Sequence, residues 1–261
     1  MSFGQHAALL WVERGIAVAL LLQTIELWQI RRHFSDDGVW TWTILREEQR
    51  ELAWPARCAL GWVMPYRSFE GLLIARLVAA VALLAGASWV TPFLLFSQVA
   101  ICVRFRGTFN GGSDYMSVTI LLALCFALVP QLQRAALMFI AVQTLLSYFN
   151  AGVVKLRQPA WRSGQALLAF VSAQPSVSAL RLAALLGAPR RRRLLARAVI
   201  GYECLTPLAL LDPRLCALIL ALGLGFHLSN ALVFGLNRFL FAWAAAYPAL
   251  FFCSELLGAS A

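Results

Sequence analysis

At 261 residues, 61% hydrophobic and 13% charged, with a mean hydropathy of +0.74, the chain lies far outside the balance of a water-soluble globular domain. A soluble fold of this size cannot hide so much apolar surface, and charge-free runs at 77–103, 115–133, 135–154, 215–237 and 239–254 reach or approach the roughly 20 residues of a membrane-crossing helix. The net charge of +10 does not point to nucleic acid, because the basic residues sit in short clusters between apolar runs and not along one solvated face.

The runs are rich in Leu, Ala and Val without strict alternation, which argues against a barrel and for helices. The expected fold is all-α, a polytopic transmembrane bundle of about eight helices forming one domain over residues 1–261. The first helix is expected near 7–30; it contains Glu13 and Arg14, so it reads as retained and not as a cleavable signal. A polar connection bearing Trp40, Trp42 and Trp54 beside several arginines suits the membrane interface. The long apolar stretch after Arg76 contains Gly86, Ser88 and Pro92 and divides into two helices with a tight turn near 86–88. Further helices are expected near 115–129 and 131–154, with Pro130 marking the turn.

The region 165–186 is interrupted by Ser172, Gln174, Pro175 and Arg181; two short helices, a re-entrant element and an interfacial one all remain open. Helices near 194–211, 214–236 and 238–257 complete the series. Arg190, Arg191, Arg192 and Arg193, with Arg197 close behind, are the strongest candidate for a cytoplasmic loop under the positive-inside rule. The six cysteines lack C-x-x-C spacing and fall mostly in apolar runs, where Cys behaves as a small hydrophobe. With three histidines in the chain, no metal site is expected.

Three polar constellations interrupt this pattern. The connection 104–115 holds two arginines, Asn110, a glycine pair, Asp114 and Tyr115. It reads either as a capped turn or as a polar mouth in which Asp114 orients a substrate. The segment 148–164 contains Lys155, the sole lysine beside 21 arginines. Arginine is effectively never deprotonated, whereas an amine in a poorly hydrated site gives up its proton more readily, so Lys155 is the one side chain able to act as a basic amine. Snorkelling of Lys155 to the headgroups is the competing reading. The segment 223–235 places His227 and Asn230 three residues apart, on one face of a helix, where polar groups need partners. Glu203, Arg76 and Glu13 are further candidates for buried charge.

Tyr148-Phe-Asn-Ala-Gly-Val-Val-Lys-Leu, followed by Trp161-Arg-Ser-Gly164 and by His227-Leu-Ser-Asn230, resembles the horizontally transferred transmembrane domain (HTTM) family, which also forms the membrane part of vitamin K-dependent gamma-glutamyl carboxylase. A weaker likeness covers residues 110–118. The resemblance implies a carboxylase- or epoxidase-like enzyme of the cell inner membrane, multi-pass, acting on a lipid-soluble quinol such as menaquinol. Lys155 falls on the proposed base of that family, and His227 and Asn230 fall on its H-L-x-N motif. The implied catalytic set is Lys155, His227 and Asp114, with Asn230, Trp161, Asn110 and Tyr115 binding substrate. Two departures stand out: Val154 replaces the first lysine of the family's pair, and Asp114 stands where the carboxylase has a histidine. No counterpart of the carboxylase's large β-rich region is expected within residues 1–261. Other HTTM members are bacterial, among them a maturation factor for a secreted peptide that works with a partner protein. The resemblance therefore also implies an alternative, a non-catalytic maturation or assembly factor for a peptide or soluble partner.

Overall fold

A computed structural model describes residues 3–49, 51, 53–105 and 111–258. Their regular structure is helical, in thirteen α-helices and five short 3-10 turns. In chain order the α-helices are α1 Gln5–Gln29, α2 Trp42–Leu45, α3 Trp54–Val63, α4 Tyr66–Leu84, α5 Thr91–Phe105, α6 Gly111–Ala127, α7 Gln133–Arg157, α8 Pro159–Arg162, α9 Gln165–Ser172, α10 Val177–Leu186, α11 Pro189–Leu205, α12 Pro213–Phe234 and α13 Asn237–Gly258.

The boundaries follow local chemistry. Gly86, at φ +100°, takes the left-handed conformation that ends α4, because it has no Cβ to clash. Asp212 caps α12 by accepting from the backbone N–H groups of Arg214 and Leu215 at 2.8 and 3.0 Å, with Pro213 in the first position where no N–H is missed. Gly235, at φ +70°, closes the same helix.

Five segments are long and apolar enough to cross a membrane: Gln5–Gln29, Ser88–Phe105, Pro130–Arg157, Pro213–Phe234 and Asn237–Gly258. The expected count of about eight is not reached by that measure. Three other long helices fall short for identifiable reasons. Helix α4 carries Arg67, Glu70 and Arg76, α6 has 17 residues, and α11 opens on four consecutive arginines. Those arginines were expected in a loop. They occupy the first turn of α11 instead, because Pro189 at the first helical position sets φ for helix. The region 165–186 resolves into two short helices, α9 and α10, packed on Val233 and Phe234 at the end of α12.

Helix α13 is the hub, packing on α1, α12, α7 and α6. Its contact with α1 is close: a Cβ added at Gly15 would lie 2.8 Å from the Ala245 Cα, the small-residue packing that lets membrane helices approach. Ile16, Leu20, Leu121, Leu137, Ile140 and Ala246 are fully buried in this main core. A second core around Phe34, Phe69 and Phe105 holds the 30–64 connection against α4 and α5. Arg104 pins it, donating to the carbonyls of Met64, Phe34 and Trp40 at 2.6, 3.0 and 2.9 Å.

The two ends of the bundle differ. At the first, the Phe3 backbone N–H donates to Glu255, Gln5 donates to Gln133, and Gly258 lies against Pro213; the starts of α1, α7 and α12 therefore meet the end of α13. At the second, the starts of α6 and α13 meet the ends of α1, α7 and α12. Arg14, Arg134 and Arg214 lie toward the first end, whereas Arg31, Arg32, Arg46 and Arg57 of the 30–64 connection and the arginines of 157–197 gather at the second.

Candidate functional site

The second end contains two buried polar clusters. The first is built on α7, where Tyr148, Gly152 and Lys155 follow at spacings of four and three and therefore share a helix face. Gly152 is required there because a Cβ would lie 2.8 Å from the Cys204 backbone N and 2.9 Å from the Glu203 Cβ. The close approach of α7 to α11 that results sets Lys155 Nζ 2.5 and 2.7 Å from the two carboxylate oxygens of Glu203. Glu203 is 3% exposed, so its charge has little water to share and leans on Lys155. The Trp161 ring lies 5.4 Å from Lys155 Nζ, within cation–π range, and stacks on Phe170.

Tyr148, two turns before Lys155, places its hydroxyl 2.6 Å from His227 Nε2 and 2.7 Å from the Tyr247 hydroxyl. Gly223, one turn before His227, makes room for this network: a Cβ there would lie 2.4 Å from the hydroxyl oxygens of both Tyr202 and Tyr247. Trp243 and Phe226 flank the imidazole at ring-centroid distances of 5.3 and 5.2 Å. His227 Nδ1 is buried and has no hydrogen-bond partner among the described residues. An unmet polar atom in an apolar setting is costly.

The second cluster centres on Arg76, fully buried in α4. Its Nε donates to Thr24 Oγ1 at 3.0 Å and its Nη1 to Ser97 Oγ at 2.7 Å, while Nη2 donates to the Gln23 and Gln98 carbonyl oxygens. Both glutamine amides then donate to Asp114 Oδ1, at 2.6 and 3.4 Å. Arginine and aspartate are thus joined through two side-chain amides, and Asp114 Oδ2 has no hydrogen-bond partner among the described residues. Nearby, Arg238 pairs with Glu26 at 2.6 Å.

Of the residues selected from the sequence, Lys155, Trp161 and His227 belong to the first cluster and Asp114 to the second. No hydrogen bond between the clusters is found among the described residues. Aromatic side chains of α13 lie between them: Trp243 packs on His227, and Phe239, stacked on Trp243, touches Gly112 at the head of α6. Asn230 is half-buried one turn beyond His227 and takes no part in the Tyr148 network. Tyr115 is 62% exposed on the outer face of α6, and Asn110 lies outside the described residues.

The sequence reading selected His227 without its partners Tyr148 and Tyr247, and Asp114 without Gln23 and Gln98. The two glutamines carried a readable signal, an uncharged polar group isolated in an apolar run; the tyrosines, being amphipathic and common in such runs, carried none. Among the described residues no group of three or more His, Cys, Asp or Glu is placed to hold a metal.

Searches with the chain match no family model, no curated protein and no solved structure.

Proposed function

We propose that this chain is a multi-pass inner-membrane protein of the HTTM kind, in which Lys155 acts as a base toward a lipid-soluble quinol such as menaquinol. The observation that carries the reading is the position of Lys155. Its amine, on a side chain 19% exposed, turns onto a glutamate that is 3% exposed. On this reading Glu203 holds the ammonium proton across the short hydrogen bond the two groups share when substrate is bound. With the proton on Glu203, Lys155 Nζ has a lone pair free to accept one from substrate, which is what general-base work requires.

The quinol supplies an ionisable ring hydroxyl. Lys155 receives its proton, Trp161 forms an aromatic wall beside the amine, and His227 offers its unmet Nδ1 as a second hydrogen-bonding point. Tyr148 and Tyr247 fix the imidazole ring for that purpose. Asp114, held in the separate Arg76 cluster, sustains the fold around the site. The gathering of arginines at this end orients it toward the cytoplasm.

The test compares oxidation of reduced menaquinone, with dioxygen supplied as the two-electron oxidant, by membranes containing wild type, Lys155→Arg or no protein. Arginine keeps the charge and the pairing with Glu203 but cannot serve as a base. Turnover by the wild type that falls to background in the variant is expected. Equal rates in all three membranes, or retained turnover in the variant, would overturn the proposal.

One observation favours a second reading, a non-catalytic maturation or assembly factor. A cleft of about 410 Å³, lined by Trp42, Arg46, Glu47, Arg57, Leu60 and Pro65, opens at the second end near the exposed Trp54 and Trp62, a combination suited to a peptide. On this reading Lys155→Arg is tolerated, and charge reversal at Arg46 and Arg57 abolishes co-purification of the partner.

A further inference from the structure

The charge of the second end is unevenly distributed. Between Asp114 and Glu203 the chain has no acidic residue, yet residues 157–197 hold eight arginines. Seven of these are exposed, and Arg192 is half-exposed with its Nε atom buried and unpartnered among the described residues. No salt bridge links any of the eight to a carboxylate among the described residues. Helix α11 begins with four of them in succession, with no acidic residue in its first turn. Like charges so close repel one another and also oppose the helix dipole, an arrangement that external anions relieve.

Packing keeps these charges together. Gly164, at φ +79°, lies so near the start of α11 that a Cβ would sit 2.6 Å from the Arg192 carbonyl, and α11 packs on α8, α9 and α10. Helix α8, bearing Arg162, and α10, bearing Arg181, are therefore locked to the arginine-rich turn. The same corner exposes large apolar side chains: Phe170 at 56%, Val177 at 64%, Leu180 at 60% and Leu194 at 72%. Exposed arginines interleaved with exposed apolar groups on short helices suit neither water nor hydrocarbon alone; they match the boundary between headgroups and acyl chains.

We infer that the α8–α11 corner is a docking surface for anionic phospholipid, with the arginines on headgroup phosphates and the apolar side chains in the acyl region beneath. Nucleic acid and acidic peptides would meet the charge but leave the apolar side chains in water. The inference rests on the membrane reading and is independent of the Lys155 chemistry.

The experiment measures lipid retained by the full-length protein in detergent, by native mass spectrometry, with phosphatidylglycerol and phosphatidylcholine of equal chain length. The wild type is expected to retain phosphatidylglycerol at least about tenfold better, since each arginine near an anionic surface contributes a several-fold factor, and 0.5 M salt should reduce that preference. The triple change Arg190→Gln, Arg191→Gln, Arg193→Gln should lose it, while the corresponding lysine variant, compared for helical content, should keep most of it.

Equal retention of the two lipids by the wild type overturns the inference, whether or not the glutamine variant folds. So does a preference that survives the glutamine changes in folded protein. Competition by inorganic phosphate at matched concentration, or by a short oligonucleotide, identifies a general anion site and also overturns it. Resistance of the protein to carbonate extraction from membranes tests the membrane reading separately.

Discussion

Lys155 and Glu203 stand 48 residues apart in the chain, yet both carboxylate oxygens of Glu203 lie within hydrogen-bond distance of the single lysine amine. Helices α7 and α11 make this possible by meeting at Gly152. Breaking one side of such a pair leaves the other charge without compensation, which in a mostly buried setting costs about 2–4 kcal/mol. Glu203→Gln is therefore expected to lower the thermal unfolding midpoint in detergent. The double change Lys155→Met, Glu203→Leu should recover more than half of the loss, because no charge then remains unpaired. Additive losses in the double variant would show that the pair does not act as a unit.

Gly152→Ala should destabilise by about 1–3 kcal/mol, since the added methyl meets backbone and Cβ atoms of α11 that cannot rotate away. Gly225→Ala in α12 is the control. A Cβ there meets nothing within 4 Å, and alanine favours helix over glycine, so unfolding of this variant should be unchanged or slightly delayed.

The Tyr148 hydroxyl joins His227 to Tyr247, so Tyr148→Phe removes a partner from two buried groups at once. A loss of about 1–3 kcal/mol is expected. Tyr202→Phe should be milder, because that hydroxyl, although it adjoins those of Tyr148 and Tyr247, donates at a long 3.4 Å to the Ile219 carbonyl. Chemical denaturation of both variants in the same detergent ranks them; the reverse order would mean that Tyr202 carries the network.

Arg76→Met should be among the most damaging single changes in the protein, at about 3–5 kcal/mol. It strands the carbonyl oxygens of Gln23 and Gln98 and removes one of the two cations near Asp114, Arg238 being the other. Adding Asp114→Asn to Arg76→Met should restore part of the loss, read as recovered yield of monodisperse protein on size-exclusion chromatography. No recovery would show that the Gln23–Asp114 and Gln98–Asp114 bonds do not transmit the charge.

Much of the architecture was legible in composition and punctuation. Apolar runs near membrane thickness and breaks near Gly86 and at Pro130 located α1, α5, α7, α12 and α13 within a few residues. The single lysine, and a histidine inside an apolar helix, marked where a polar partner was to be expected, because isolated polar groups in such runs need one. These are local properties, and helices in apolar surroundings satisfy their own backbone hydrogen bonds within the segment. For that reason they can be read one run at a time.

Partners cannot be read in that way. Nothing in the order of residues specifies that Lys155 meets Glu203, that His227 shares Tyr148 with Tyr247, or that Asp114 is tied through Gln23 and Gln98 to Arg76. Those pairings depend on which helix faces touch, and the faces are selected by close contacts at Gly15, Gly152 and Gly223, where the absence of a side chain sets the distance between helices. The sequence alone determined where most of the long helices run and which polar groups are out of place. Tertiary packing decided which of those groups meet, because side-chain contact is set by helix separation and rotation, to which hydropathy is blind.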